Sequence, residues 1–147
     1  METLKIDFGS GHNKKESFAS CDFTNNPFLD FHYDAGKNEI TECFPNSVDI
    51  FNLKNVIHHL PDMEKVLSCL KKYLKNNGKI IIIESTKESY LENKILDILW
   101  YRYVIPRYDI WISLKYRDYK PILVKLGFKL LNQKIKNHQE ISCWQKQ

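Results

Sequence analysis

Several features that commonly decide a protein's class are missing from this sequence of 147 residues. Its longest purely apolar run, residues 80–83, is far shorter than the roughly 20 apolar residues of a membrane-spanning helix, and no basic leader with an apolar segment opens the chain. The cysteines do not fall at the short spacings of metal ligands; they are Cys21, Cys43, Cys69 and Cys143. We therefore expect free thiols in a reducing, cytoplasmic location, with no metal and no membrane partner.

A strong excess of charge is also missing. The formal net charge is +4, and the lysines are spread along the chain instead of forming one run. A nucleic-acid partner is therefore permitted but not favoured, and solvated surface lysines are the simpler interpretation. With 43% hydrophobic and 13% aromatic residues, the composition is that of a globular protein, and the length suits a single domain over residues 1–147.

The predicted elements alternate between strands and helices, which favours an α/β sheet. One helix is predicted after Asp62, its expected N-cap, because apolar residues recur at helical spacing from Met63 to Leu74; Gly78 is expected just past its end. Further helices are predicted over residues 88–103 and 118–126, and strands over residues 4–8, 17–21, 28–33, 47–53, 79–84, 128–135 and 140–145.

The first predicted strand runs into a glycine-rich segment, Asp7-Phe8-Gly9-Ser10-Gly11. Glycine at the end of a strand permits a positive φ and a close approach of the backbone to a ligand. A dinucleotide fingerprint would need a third glycine three residues after Gly11, where Lys14 stands. Nicotinamide binding is therefore disfavoured, and the segment alone identifies no ligand.

Carboxylates follow the next two predicted strands. Asp22 could accept hydrogen bonds from both hydroxyls of a ribose, or it could make a local Asx turn. Phe23 could pack on an adenine ring. Asp34, with Ala35 beside it, could accept the exocyclic amine of adenine, or it could be a surface-loop acid. Both alternatives stay open for each carboxylate.

Taken with a longer block, these features resemble class I S-adenosylmethionine-dependent methyltransferases of the small, methyltransferase-11-like kind. The block is residues 48–84, VDIFNLKNVIHHLPDMEKVLSCLKKYLKNNGKIIIIE. In that family an Asp-rich fourth strand leads into a V-L-x-H-L-P-D-like segment, a helix, an L-K-x-G-G turn and an apolar strand. The resemblance covers residues 4–85 and continues more loosely through Leu126-Gly127-Phe128.

The resemblance implies a Rossmann-like α/β fold with a mostly parallel, seven-strand-type sheet and helices on its faces. It also implies S-adenosylmethionine as the cofactor. It places Gly9, Ser10 and Gly11 at the methionine part, Asp22 at the ribose, Asp34 and Ala35 at the adenine, and Asn52, Leu53 and Lys54 beneath the sulfonium; Asp7 and Phe23 are further candidate cofactor-binding residues.

The sequence departs from the family because it lacks room for two early helices. Only residues 9–16 separate the first strand from the second, and a crossover connection takes a dozen or more. The stretch 23–27 is also too short for a helix. We therefore expect one face of the sheet to be thinly covered, and cofactor affinity to be lower than usual. A second copy, a partner subunit or the helix over 88–103 would cover that face.

His58 is the candidate catalytic base. Methyl transfer needs in-line placement and a deprotonated acceptor, and a hydroxyl acceptor would need a base with a pKa near 7. The neighbouring His59 is carried by the family for structure, and a structural role is the stronger alternative for both histidines. Glu84 ends the apolar strand, where it would lie at the open edge that substrates enter or cap a helix.

An insertion predicted over residues 86–118 is rich in aromatic and arginine residues. Such side chains suit a lid that stacks on a substrate ring, and they equally mark a packing surface between copies of a dimer. The interface interpretation is slightly favoured.

The favoured function is an S-adenosylmethionine-dependent methyltransferase that acts on a small-molecule acceptor such as a sugar or another metabolite. The alternatives are a non-catalytic scaffold or partner subunit with this fold, and an RNA methyltransferase. Asn52-Leu53-Lys54-Asn55 stands where an Asn-Pro-Pro-Tyr signature would indicate an exocyclic amine acceptor, so methylation of adenine N6 is disfavoured.

Overall fold

A computed structural model describes residues 3–11, 15–24, 26–60, 62–89 and 116–147. These residues form one eight-stranded sheet with helices beside it. The strands are β1 Lys5–Phe8, β2 Ala19–Asp22, β3 Phe31–Asp34, β4 Glu39–Thr41, β5 Val48–Lys54, β6 Leu74–Ser85, β7 Phe128–Lys136 and β8 Gln139–Lys146. The helices are α1 Met63–Tyr73 and α2 Lys120–Lys125, with a 3₁₀ turn at Ile57–His59.

The strands follow the spatial order β4-β3-β2-β1-β5-β6-β8-β7. The five strands from β3 to β6 in that order are paired in parallel, while β4, β7 and β8 run antiparallel to their neighbours. The prediction of a mostly parallel α/β sheet is confirmed. Since parallel strands end at one edge, the carboxyl ends of β1, β2, β3, β5 and β6 meet there, where α/β sheets bind ligands.

The core lies on one face of the sheet, which we call the helical face. Ile6 of β1, Phe51 of β5 and Ile80 of β6 stand side by side in register and are fully buried. Leu67 of α1 and Leu123 of α2 belong to the same buried cluster. Because side chains alternate between faces along a strand, the next residue of each strand points to the opposite face.

Helix α1 begins where the sequence predicts, and it ends earlier. The Asp62 side chain accepts a hydrogen bond from the backbone N–H of Lys65 at 2.9 Å, which confirms the predicted N-cap. The expected end near Gly78 is wrong, because Leu74 is already extended and pairs with Val48 of β5. Gly78 lies inside β6, where a Cβ would come within 2.9 Å of the carbonyl oxygen of Lys75.

The described residues contain no helix between β1 and β2 or between β2 and β3, as the short connections predict. The sequence did not predict β4, which occupies part of the connection from β3 to β5. On the face opposite the helical face, Ile81 and Ile83 of β6 are therefore half-buried, although their continuous apolar run predicts burial on both sides.

Much of the chain after β6 cannot be compared with its prediction. Residues 87–89 are helical, and the rest of the helix predicted over 88–103 lies outside the described residues, as does most of the insertion predicted over 86–118. Helix α2 is shorter than its predicted range of 118–126. Within the described ranges, neither α1 nor α2 has the length and apolarity to cross a bilayer.

Candidate active site

The glycine segment forms a tight loop between β1 and β2. Gly9 has a φ of +75° and Gly11 a φ of +55°, both in the left-handed region. The N–H of Gly9 donates to the carbonyl of Cys21 at 2.8 Å, and a Cβ at Gly9 would lie 2.3 Å from a methyl carbon of Val56. Beside Gly11 a Cβ would meet no atom of the described residues within 4 Å, so this position leaves space on that side of the loop.

Asp7 and Asn52 form a buried polar pair beneath this loop. The Asp7 carboxylate, 6% exposed, accepts hydrogen bonds from the amide of Asn52 at 2.6 Å and from the backbone N–H of Lys15 at 2.9 Å. The other atom of the amide, Asn52 Oδ1, is buried without a partner, and so is the hydroxyl of Ser10. Buried polar atoms without partners are costly, so these two atoms fit a site that a polar ligand completes.

Asp22 ties the glycine loop to the end of β2. Its side chain is 4% exposed, and one carboxylate oxygen accepts a hydrogen bond from the N–H of Gly11 at 2.7 Å. The second oxygen accepts from the N–H groups of Phe23 at 2.7 Å and Thr24 at 3.2 Å. The Asx-turn contacts are therefore present, and the oxygen facing Gly11 retains capacity for a further donor such as a ribose hydroxyl.

A largely apolar cavity of about 340 Å³ lies beside the residues that follow β2 and β3. It brings together Phe23, which is 45% exposed and is predicted from the sequence to pack on an adenine ring, and Ala35, which the resemblance places at adenine. The remaining lining residues come from β3 and from the segment before and within α1: Tyr33, His59, Leu60, Asp62, Lys65 and Val66. A flat apolar ring suits such walls.

Two of the predicted cofactor residues make other contacts. Asp34 does not line the cavity; it accepts hydrogen bonds from the N–H groups of Lys37 and Gly36, and the bond from Lys37 contributes most to lowering the pKa of Asp34. It therefore has the contacts of the surface-loop alternative. The side chain of Leu53 is fully buried in the core cluster, so only its backbone is available at the sheet edge.

His58 forms a close pair with Glu84. His58 Nδ1 lies 2.8 Å from one oxygen of the carboxylate, and the other oxygen accepts a hydrogen bond from the N–H of Ile57 at 2.7 Å. Glu84 is 7% exposed at the end of β6, and His58 lies in the 3₁₀ turn after β5. A carboxylate at Nδ1 favours the tautomer that carries its proton there, which leaves Nε2 as the acceptor. The sequence placed both residues near one edge and missed their pairing.

His59 differs from its neighbour in environment. Its ring centroid lies 4.0 Å from that of His58. Burial lowers the pKa of His59, and the neighbouring His58 lowers it further. His59 lines the apolar cavity, whereas His58 lines a second one of about 240 Å³. The two histidines thus stand between the two cavities.

Glu140 of β8 lies in the wall of the second cavity and accepts hydrogen bonds from three side chains. Its carboxylate accepts from the hydroxyl of Tyr119 at 2.7 Å, from Lys120 Nζ at 2.8 Å and from Gln133 Nε2 at 2.8 Å. Burial raises the pKa of Tyr119, so its hydroxyl keeps its proton. Burial alone would lower the pKa of Lys120, but the contact with Glu140 outweighs it, and Lys120 stays cationic.

A family model described as a methyltransferase domain matches residues 9–82, half of the chain. The match includes the glycine loop, Asp22, Asn52 and His58. The chain belongs to this family, the methyltransferase-11 domains, and its fold is the Rossmann-like methyltransferase fold. Its cofactor is S-adenosylmethionine.

Known proteins similar to the chain include a polyketide synthase and two methyltransferases. A highly reducing polyketide synthase, resH from Aspergillus sclerotiorum, is 33% identical over 98 residues, which is 67% of this chain; the chain spans 4% of that protein's length. A SAM-dependent methyltransferase from Aquifex aeolicus is 16% identical, with a TM-score of 0.60 over 97% of this chain and 81% of that one. The CurJ carbon methyltransferase is 17% identical, with a TM-score of 0.57 over 98% and 48%.

Proposed function

We propose that this chain transfers the methyl group of S-adenosylmethionine to a small-molecule acceptor that first loses a proton to His58. The observation that carries the proposal is the pairing of His58 with Glu84 on the wall of a cavity at the carboxyl edge of the sheet. Methyl transfer itself needs no covalent help from the protein. The chain therefore has two tasks, to hold the cofactor and to deprotonate the acceptor.

The cofactor would lie along the strand ends from β1 to β3. The glycine loop and the buried atoms Ser10 Oγ and Asn52 Oδ1 would contact the methionine part, Asp22 the ribose, and Phe23 with Ala35 the adenine. Asp34 is left out because its carboxylate oxygen already binds the turn at Gly36 and Lys37. When bound, S-adenosylmethionine supplies an electrophilic methyl group and a neutral thioether leaving group.

His58 would act as the general base through Nε2. Glu84 holds the proton on Nδ1 and stabilises the imidazolium that forms when Nε2 takes a proton from the acceptor. The electron pair left on the acceptor then forms the new bond to the methyl carbon. General-base catalysis of this kind typically contributes about 10²–10⁴-fold to a rate.

A carbon acid flanked by carbonyl groups is the acceptor class with the most support. Two proteins similar to this chain are named as a polyketide synthase and a carbon methyltransferase, and a carbon acceptor must lose a proton before it can attack a methyl group. Lys120, a cation held by Glu140 on the same cavity wall, would stabilise the negative oxygen of the enolate. A hydroxyl acceptor such as a sugar needs the same base but has no comparable support.

The test is an assay of methyl transfer from labelled S-adenosylmethionine to a β-ketoacyl thioester. The matched control is the same thioester with two methyl groups on the α-carbon, which leaves no proton to remove. We expect methylation of the first compound and none of the second. Equal labelling of both, or labelling of a sugar hydroxyl alone, would contradict the carbon acceptor, and tight cofactor binding without any transfer would support the non-catalytic alternative.

A further inference from the structure

The face of the sheet opposite the helical face carries an aliphatic stripe across its middle strands. We call this side the open face. The stripe consists of half-buried side chains: Ile81 and Ile83 of β6 pair with Cys143 and Ile141 of β8, and Ile50 of β5, which itself pairs with Lys79, lies diagonal to Ile81 on the same face. Helices α1 and α2 both belong to the cluster on the helical face, so neither of them covers this stripe; residues 90–115 lie outside the described part of the chain.

Lysines border the stripe on the same face. Because residues paired across strands project to one side, the registers place the following lysines on the open face: Lys5, Lys54, Lys79, Lys129, Lys134 and Lys136. Those of β7 are exposed along the outer edge of the sheet. The open face is therefore apolar in the middle and cationic at its margins.

Acidic side chains are scarce on this face. On β1, β5, β6, β7 and β8, the described carboxylate that the registers place on this face is Asp7, which is buried and accepts a hydrogen bond from Asn52. Asp49 of β5 lies at a register shift and is ion-paired with Lys75. Glu84 and Glu140 of the same strands project to the helical face, where they contact His58 and Tyr119. Glu84 and Glu140 are therefore not available to neutralise the lysines of the open face.

The dimensions of the stripe suit one α-helix. Three adjacent strands span two inter-strand spacings of about 4.8 Å, which is roughly 10 Å. An α-helix with its side chains is about 10–12 Å across. Helices are also what covers a parallel sheet in α/β proteins. Aliphatic side chains pack well against an apolar helix face, whereas a nucleic acid would be expected to use aromatic side chains for stacking.

We propose that the open face binds an amphipathic helix of a partner protein, with apolar residues against the stripe and acidic residues along its margins. The lysines select the charge of the partner by electrostatic complementarity. They also disfavour a second copy of this chain, because two open faces brought together would oppose lysine to lysine. The partner would supply the helical layer for which the short connections between β1, β2 and β3 leave no room.

The test uses two labelled synthetic helices of about 18 residues with the same leucine face, one flanked by glutamates and the other by lysines at the same positions. Fluorescence anisotropy of each helix with the intact chain should show binding of the acidic helix at least about tenfold tighter, which corresponds to about 1.4 kcal/mol. Lys134→Glu combined with Lys136→Glu should remove that preference. Lys72→Glu on α1 is the matched control and should leave it unchanged.

Cys143 provides a second readout that needs no variant. It lies within the stripe, while Cys43 lies outside it and is similarly half-exposed. Alkylation by N-ethylmaleimide, followed by mass spectrometry, should modify both thiols in the free chain, and the acidic helix should protect Cys143 and not Cys43. Protection by the basic helix to the same extent would overturn the proposal. So would a Cys143 that is unreactive in the free chain, protected on self-association, or protected by single-stranded RNA instead.

Discussion

The two ends of the ligand-binding edge use their carboxylates in different ways. Near the glycine loop, Asp22 accepts hydrogen bonds from three backbone N–H groups within twelve residues along the chain. At the other end, Glu84 reaches 26 residues back to the His58 side chain, and Glu140 binds the side chains of Tyr119 and Lys120. Around Asp22, the end proposed for the cofactor is therefore shaped by local backbone, although Asp7 and Asn52 also meet there across β1 and β5. The end proposed for the acceptor is assembled mainly from side chains that meet only in the folded sheet.

This difference separates binding from catalysis. A carboxylate that holds a loop fixes where a ligand sits, and its removal should change an affinity. A carboxylate that holds a base fixes which atom carries a proton, and its removal should change a rate. The comparison is sharpest when Asp22 and Glu84 are each changed alone, and when the Kd for S-adenosylmethionine and the rate of methyl transfer are both measured for each variant.

The largest effect is expected at the acceptor end. Glu84→Gln keeps the shape of the side chain and removes the charge that stabilises the imidazolium of His58, so the rate of methyl transfer should fall by roughly 10²–10⁴-fold. The Kd for S-adenosylmethionine, measured by isothermal titration, should stay within about threefold. Glu64→Gln, in an exposed ion pair with Lys125, is the control and should change neither quantity. A parallel loss of cofactor binding in Glu84→Gln would break the separation.

A smaller effect is expected at the cofactor end. Asp22→Ala removes the acceptor for Gly11, Phe23 and Thr24 together with the carboxylate proposed to bind the ribose, so the Kd for S-adenosylmethionine should rise by about 10–100-fold. Asp34→Ala is the matched comparison, since that carboxylate binds an exposed turn, and its Kd should change by less than about threefold. If the two variants weaken binding equally, Asp22 holds no part of the cofactor.

The smallest effect concerns His59 and the stability of the fold. Burial lowers the pKa of His59 below its unfolded value near 6.5, so the unfolded chain binds more protons between the two pKa values. The contribution of neutral His59 to the free energy of unfolding is therefore complete above pH 6.5, and it is lost as the pH falls through the pKa of His59 in the folded chain. Urea unfolding between pH 7.5 and 5 should show a falling free energy of unfolding.

That pH dependence should be weaker in His59→Gln. The control is His138→Asn at the exposed turn between β7 and β8, which should keep the dependence of the parent chain. An unchanged slope in His59→Gln would show that another group is responsible.

Local patterns predicted most of the fold. The alternation around Ile6 and the helical spacing after Asp62 are each determined within about ten residues, and the structure confirms both elements. The end of α1 and the short strand β4 were not predictable in this way. Leu74 becomes extended because it pairs with Val48, and β4 exists because Ile40 pairs with Tyr33; both pairings join residues that the sequence pattern does not connect.

The same limit applies to the candidate site. The glycine loop and Asp22 follow from motif spacing, and the structure brings them together. The sequence left both alternatives for Asp34 open, the surface-loop acid being nearly as well supported as the adenine contact, and the hydrogen bonds to the turn at Gly36 and Lys37 favour the former. The pairing of Glu84 with His58 depends on β5 and β6 being neighbours in the sheet, and the resemblance could have suggested it once both strand ends were placed at one edge.

The most direct test of the central claim compares His58→Gln with His59→Gln, two adjacent histidines whose rings are 4.0 Å apart and which line different cavities. Methyl transfer to a β-ketoacyl thioester would be measured in single turnover at saturating S-adenosylmethionine. The account predicts that His58→Gln loses roughly 10²–10⁴-fold in rate and that His59→Gln stays within about tenfold of the parent. A parent-like rate in His58→Gln, or an equal loss in both variants, would contradict it.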